Sequence, residues 1–143
     1  MLIRDAHDND VEALVGLFAE WGHAQPADVI ADQLAEWADT PFGEVLVAEI
    51  DSCVAGMAAV VAIPHLARPG RFARLAGLAV SGAHRRRGVG RELMRAAEQR
   101  ARAWGCDRLE LTSSKWRTEA HEFHPALGYR EMSEQQARYR RDL

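Results

Sequence analysis

Arg85, Arg86, Arg87, Gly88, Val89 and Gly90 follow one another directly, and these residue types at this spacing suit the binding of a phosphorylated ligand. The glycines lack a Cβ, so an anion can approach the main-chain N–H groups closely, and arginine adds charge-assisted contacts to phosphate oxygens. The stretch follows an apolar run, Leu75 to Val80. It precedes Val89, Leu93, Met94, Ala97, Ala101 and Trp104, which recur at helical spacing. A strand therefore feeds a glycine turn at a helix start. Unpaired amides and the positive end of the helix dipole meet there, and an anion needs no metal to bind. Read alone, the six residues describe a basic, solvated helix entry equally well. They do not form the dinucleotide fingerprint GxGxxG, and the chain has no glycine-lysine phosphate loop.

Other chemistry-bearing residues are scattered. His121 and His124 have a metal-ligand spacing, but no third ligand lies near them in sequence. Cys53 and Cys106 are too few for a disulfide framework and read as buried small hydrophobes. Asp28, Asp32, Glu36 and Asp39 share one helical face that would attract a cation or simply be solvated. His65 lies in a loop, and Trp21, His23 and Trp37 add aromatic surface in the first third of the chain.

Three segments together resemble the GCN5-related N-acetyltransferase (GNAT) superfamily. Arg85, Gly88 and Gly90 fill the three defined positions of its coenzyme motif. Leu109-Glu110-Leu111-Thr112 resembles its fifth strand, and Glu119 to Tyr129 is similar to its A-x-x-F-Y-x-x-x-G-F segment. The resemblance implies acetyl-coenzyme A as co-substrate, with no metal. It implies coenzyme contacts from Leu78, Ala79 and Val80 along the fourth strand, and from Arg85, Arg86, Arg87, Gly88, Val89, Gly90 and Arg91 at the helix start. Arg117 stands where many relatives carry a coenzyme-touching asparagine. His124 occupies the position of the usual leaving-group tyrosine. An imidazole can donate a proton, although with an ordinary pKa of about 6.5 only a fraction is charged at neutral pH. Water, or direct departure of the thiolate, would serve instead. Ala73, Arg74, Ala76 and Gly77 offer no carboxylate as general base, which leaves His65, Glu44, Asp39 or a water chain. The region of Trp21, His23 and Trp37 is where relatives shape the acceptor pocket, although Trp37 on an amphipathic helix reads as core.

The elements that must position these residues follow from pattern. Leu2 to Asp5 reads as a strand, and Asp8 or Asp10 as the cap of a helix with Val11, Leu14, Val15 and Phe18 on one face. Asp28 to Asp39 is a second helix, with Val29, Ile30, Gln33, Leu34 and Trp37 inward. Glu44 to Ile50 and Cys53 to Ile63 are strands joined at Asp51-Ser52, the second of them bent near Gly56. Then come a strand over Phe72–Val80, a helix over Gly88–Trp104, a strand over Leu109–Thr112 and a helix from about Arg117 to Leu127. Tyr129–Met132 and Ala137–Arg141 would close the sheet. The class is α/β, a mixed and mostly antiparallel sheet of six to seven strands flanked by four helices, as the resemblance also implies. One domain spans residues 1–143.

Charge divides the chain unevenly. The first 67 residues hold one arginine against twelve acidic residues, and the remainder seventeen basic against nine acidic. A basic second half suits a diphosphate and a 3′-phosphate, and an acidic first half attracts a cationic amine. No run is long enough for a membrane helix and no signal-peptide pattern opens the chain, so the expected compartment is the cytoplasm, with no membrane partner. The expected function is acetyl transfer to a primary amine of a small molecule or peptide. The alternative is a non-catalytic sensor of acyl-coenzyme A with the same fold. A nucleic-acid partner is not expected, since Trp104 reads as core rather than as a stacking platform beside the arginines. Pairing into a homodimer is implied by the resemblance alone.

Overall fold

The computed structural model describes residues 1–113 and 118–143. The chain divides into two compact units, Met1–Leu111 and Thr112–Leu143. The first holds β1 (Leu2–Asp5), α1 (Val11–Trp21), α2 (Ala27–Ala38), β2 (Gly43–Ile50), β3 (Cys53–Pro64), β4 (Arg71–Val80), α3 (Val89–Ala103) and β5 (Cys106–Glu110). The second holds α4 (Thr118–Ala126). The strands form one sheet in chain order, antiparallel except for the β4–β5 pair. That pair is parallel because α3 supplies the long crossover that a parallel connection requires. β2 and β3 turn tightly through Asp51 and Ser52, whose φ values of 49° and 62° fit a two-residue hairpin matching the strand twist.

β3 and β4 are covered on both faces. Met57, Ala59 and Ala79 pack with Leu14, Leu17 and Ile30 of α1 and α2. Gly56, the neighbour of Met57, faces the other way, where an added Cβ would lie 3.0 Å from Val89 and 3.1 Å from Leu93 of α3. The helical spacing of Val89, Leu93, Met94, Ala97 and Ala101 is realised as one fully inward stripe. Each large side chain buried there stabilises the fold by roughly 1.5–3 kcal/mol. Two bulges interrupt the ladders. Ala55 is an extra residue opposite Ala48 and Glu49, and Ala76 is an extra residue opposite Ala59 and Val60.

Several expectations need correction. The described residues hold five strands, not six to seven. In place of a closing pair, the Met132 carbonyl accepts from the N–H groups of Gln135 and Gln136, at 3.0 and 3.1 Å, and the segment lies exposed. Between Arg130 and Arg138 only Met132 and Ala137 are apolar, so this stretch has no face for a sheet to bury. Gln33 points to solvent and Trp104 is half-buried at the end of α3. Cys53 is exposed because it directly follows the hairpin turn. No helix of the described residues is long and apolar enough to cross a membrane.

Asp10 does not cap α1 through its side chain. Its carboxylate accepts two hydrogen bonds from the Arg4 guanidinium, each 2.8 Å, and one from the His7 N–H at 2.7 Å. Arg4 also donates from Nε to Glu49 at 2.8 Å, so β1, the start of α1 and β2 are tied at one point. Asp10 is the one buried charged residue among those described. The Arg4 hydrogen bonds hold its carboxyl below the ordinary carboxylate range, against the opposing effect of burial. A lowered native pKa contributes stability that is complete above the unfolded value near 3.8 and lost as pH falls through the native value. Asp10→Asn leaves Arg4 short of a charge partner and is expected to cost about 2–3 kcal/mol at neutral pH. In thermal melts, the deficit relative to wild type should hold from pH 7 to about 5 and shrink below the ordinary carboxylate pKa of about 3.9.

Candidate active site

β4 changes its surroundings halfway along. Its ladder with β5 runs through Arg71↔Cys106 and Ala73↔Leu109 and ends at Arg74↔Glu110. The bulge at Ala76 follows two residues later, and a bulge bends its strand and sharpens the local twist. Leu75 to Val80 then runs on without a strand on that side among the described residues. Ala79 is buried, whereas Leu78 and Val80 are half-buried. An extended ligand arm could pair with main-chain groups along this edge as an added strand would.

The edge leads directly to the start of α3. The Ser81 N–H donates to the Ala55 carbonyl at 2.9 Å, and a 3-10 turn follows over Gly82–His84. Arg85 is extended, Arg86 takes a left-handed φ of 60°, and Gly88 occupies the N-cap with φ 79°. A left-handed cap without a side chain satisfies no amide. The helical ladder begins with Glu92 N–H to the Gly88 carbonyl at 3.0 Å, and the N–H groups before it have no capping side chain.

Charge pairing sharpens the contrast along α3. Arg95 pairs with Glu92 at 3.0 Å, Arg102 with Glu98 at 3.6 Å, and Arg100 with Glu44 and, at 3.5 Å, Asp5. Arg85, Arg86, Arg87 and Arg91 are exposed and have no ion pair among the described residues. Uncapped amides, the positive helix end and four exposed guanidinium groups therefore fall within one short stretch of chain, and the residue types present fit a diphosphate.

α1 backs this junction. An added Cβ at Gly77 would lie 2.8 Å from the Trp21 indole, so the glycine is what admits the ring against β4 just beyond the bulge. The His23 ring sits 4.5 Å from Trp21. The Glu20 carboxylate accepts from the Gly82 N–H at 3.3 Å, a contact sequence reasoning missed. The only hint was an acidic residue in the last turn of a helix, where the dipole disfavours it. Beside Glu20 opens a cleft of about 500 Å³ whose lining includes Leu17, Cys53, Val54 and Ser81.

The structure does not bring His65 to this place. It precedes β4, at the opposite end of that strand from Val80, about 30 Å away at ordinary strand rise. Its Nε2 lies 2.9 Å from Asp107, which Arg68 also contacts at 2.6 Å, and its ring stacks on Phe72. The Cys106 thiol is pushed up by burial, which keeps it protonated. His124 lies in the second unit, in α4, which continues through Pro125 and ends before Gly128 at φ 92°. The His124 carbonyl accepts from Leu127 and Tyr129, and its ring contacts Phe123 and Tyr129. Its Nδ1 is buried without a partner among the described residues. Burial first, and the charge of His121 second, hold its pKa below the ordinary 6.5, so the ring is neutral at pH 7. Arg117 lies outside the described residues.

Comparison with known proteins bears on this arrangement. Residues 10–129 match the model of the acetyltransferase (GNAT) family. Among solved structures, a transcriptional regulator from Bacillus halodurans is similar at 24% identity and a TM-score of 0.87, with 99% of each chain covered. An aminoglycoside 6′-N-acetyltransferase from Acinetobacter haemolyticus is similar at 20% identity and 0.82, covering 100% of this chain and 99% of that one. A ribosomal-protein-alanine N-acetyltransferase from Brucella melitensis is similar at 17% identity and 0.82, with 100% of each covered. At these identities the likeness is one of fold. No curated protein matches the sequence significantly.

The junction makes a prediction that needs no particular ligand. Inorganic pyrophosphate should bind in calorimetry at low ionic strength and weaken as salt rises. Arg85→Glu with Arg87→Glu should abolish the heat, whereas Arg102→Gln, further along α3, should leave it unchanged.

Proposed function

Since the chain belongs to the acetyltransferase (GNAT) family, we propose that it moves an acetyl group from acetyl-coenzyme A to a primary amine of a small molecule or peptide, with residues 1–143 acting as a single domain. The open β4 edge running into uncapped α3 amides is the observation that carries this reading. Arg85, Arg86, Arg87 and Arg91, with the N–H groups around Gly88, Val89 and Gly90, hold the diphosphate. Main-chain groups of Leu78, Ala79 and Val80 hold the pantetheine arm along the strand.

Once a cationic acceptor has given its extra proton to water, the neutral amine nitrogen bonds to the acetyl carbon, that carbon's bond to sulfur breaks, and one proton moves from nitrogen to sulfur. A β4 main-chain N–H donates to the carbonyl oxygen as it gains negative charge, a contribution worth roughly 3–4 kcal/mol where a single such donor has been removed. His124 stands at the family's tyrosine position. Because its imidazole is neutral, it enters as a relay that takes up and releases the proton rather than as a charged acid held in store. His65, committed to Asp107, has no part in the step. The acceptor class is supported by charge. Asp28, Asp32, Glu36 and Asp39 of α2 and its C-terminal end are exposed and would draw a cationic amine.

Acetyl-coenzyme A incubated with a panel of amines should release free thiol with at least one of them. Coenzyme binding without release from any amine would favour the sensor reading over catalysis. His124→Ala should lower kcat about 100-fold or more and leave the coenzyme KM unchanged. A variant within twofold of wild type would take His124 out of the step.

A further inference from the structure

Glu20 breaks a local rule. It sits in the final turn of α1, before the left-handed Gly22, in a turn with no basic residue. A carboxylate there opposes the negative end of the helix dipole, which ordinarily costs a few tenths of a kcal/mol. The side chain nevertheless reaches across 62 positions of sequence to accept from the Gly82 N–H at 3.3 Å. An added Cβ at Gly82 would approach that same carboxylate oxygen to 3.2 Å, so the absence of a side chain leaves the carboxylate its place.

The contact falls where the coenzyme loop is otherwise loosely held. Ser81 is anchored through its N–H to Ala55, and Val89, the first residue of α3, is anchored by its own burial. Between them, Arg85, Arg86, Arg87 and Gly88 are exposed. The Ser81 carbonyl accepts from the His84 N–H at 2.9 Å, which closes the turn over Gly82–His84, and the Glu20 bond ties the first residue of that turn to α1. The next residue of α1, Trp21, packs on Gly77. One helix end therefore touches β4 at Gly77, beside the bulge, and the turn that follows β4 at Gly82.

We propose that Glu20 is a positioning residue for the coenzyme loop: its carboxylate sets the turn at Gly82, and through it the aim of the α3 amides at the diphosphate. The inference rests on the coenzyme reading above. Glu20 touches no reacting atom, and its role is to accept a hydrogen bond rather than to supply charge.

Calorimetry with coenzyme A tests it on the full chain. Glu20→Ala should weaken the Kd roughly two- to tenfold, the range of one net hydrogen bond, with a cooperative melt retained. Glu20→Gln keeps an acceptor oxygen and should bind within twofold of wild type. Gly82→Ala should weaken binding in the wild-type background and have no further effect in Glu20→Ala, because both act on one contact. The proposal is overturned if Glu20→Ala binds as wild type does, if Glu20→Gln behaves as Glu20→Ala does, or if Gly82→Ala costs the same factor in both backgrounds. Failure of wild type itself to bind coenzyme A would instead overturn the coenzyme reading, and the inference with it.

Discussion

Main-chain hydrogen bonding is the constraint on which this structure turns. Buried and partly buried backbone groups need partners, and the sheet supplies them for nearly the whole of β3 and for β4 up to Arg74. Beyond that point β5 no longer follows, and α3 opens without a side chain at its cap. These two breaks lie on consecutive segments. Among the described residues, one side of β4 beyond Arg74 has no strand partner, and the chain then runs into the uncapped first turn of α3.

The rest of the fold makes such an opening tolerable. β3 and β4 are sandwiched between α1 and α2 on one side and α3 on the other, so the open edge belongs to the best-packed strands. The alanine-rich strands let helices approach both faces, and Leu93 and Met94 hold α3 in place by full burial. The Arg4–Asp10–Glu49 cluster secures the far edge at β1. Charge is divided in the same spirit. Arginines along the body of α3 are neutralised by neighbouring carboxylates, and those at its start have no ion pair among the described residues.

Much of this was legible in the sequence. The glycine turn between an apolar strand and an amphipathic helix marked the β4–α3 junction because local spacing determines local geometry, and the inward stripe of α3 follows directly from 3.6-residue periodicity. What could not be read were interactions between residues distant in sequence. The tie between His65 and Asp107, made at the far end of β4 from Val80, spans 42 positions. Glu20 and Asp10 carry no mark that distinguishes an acid bonded to a specific partner from a solvated one. The closing strands over residues 129–141 do not form because this stretch has no apolar face for a sheet to bury. The Ala76 bulge was equally silent, since an extra alanine in an alanine-rich strand disturbs no periodicity.

That bulge has an effect on parity. In an unbroken strand Leu75 and Gly77 would project to the same side, yet here Leu75 pairs with Val60 and Gly77 with Ala59, so the two lie on opposite sides. The chain therefore counts one residue more than its ladder does. Shortening it by that single alanine would leave every cross-strand partner from Arg71 to Val80 matched as it now is, with both packed layers intact. Only the bend would go. A one-residue deletion thus separates the information that pairs β3 with β4 from the information that bends β4.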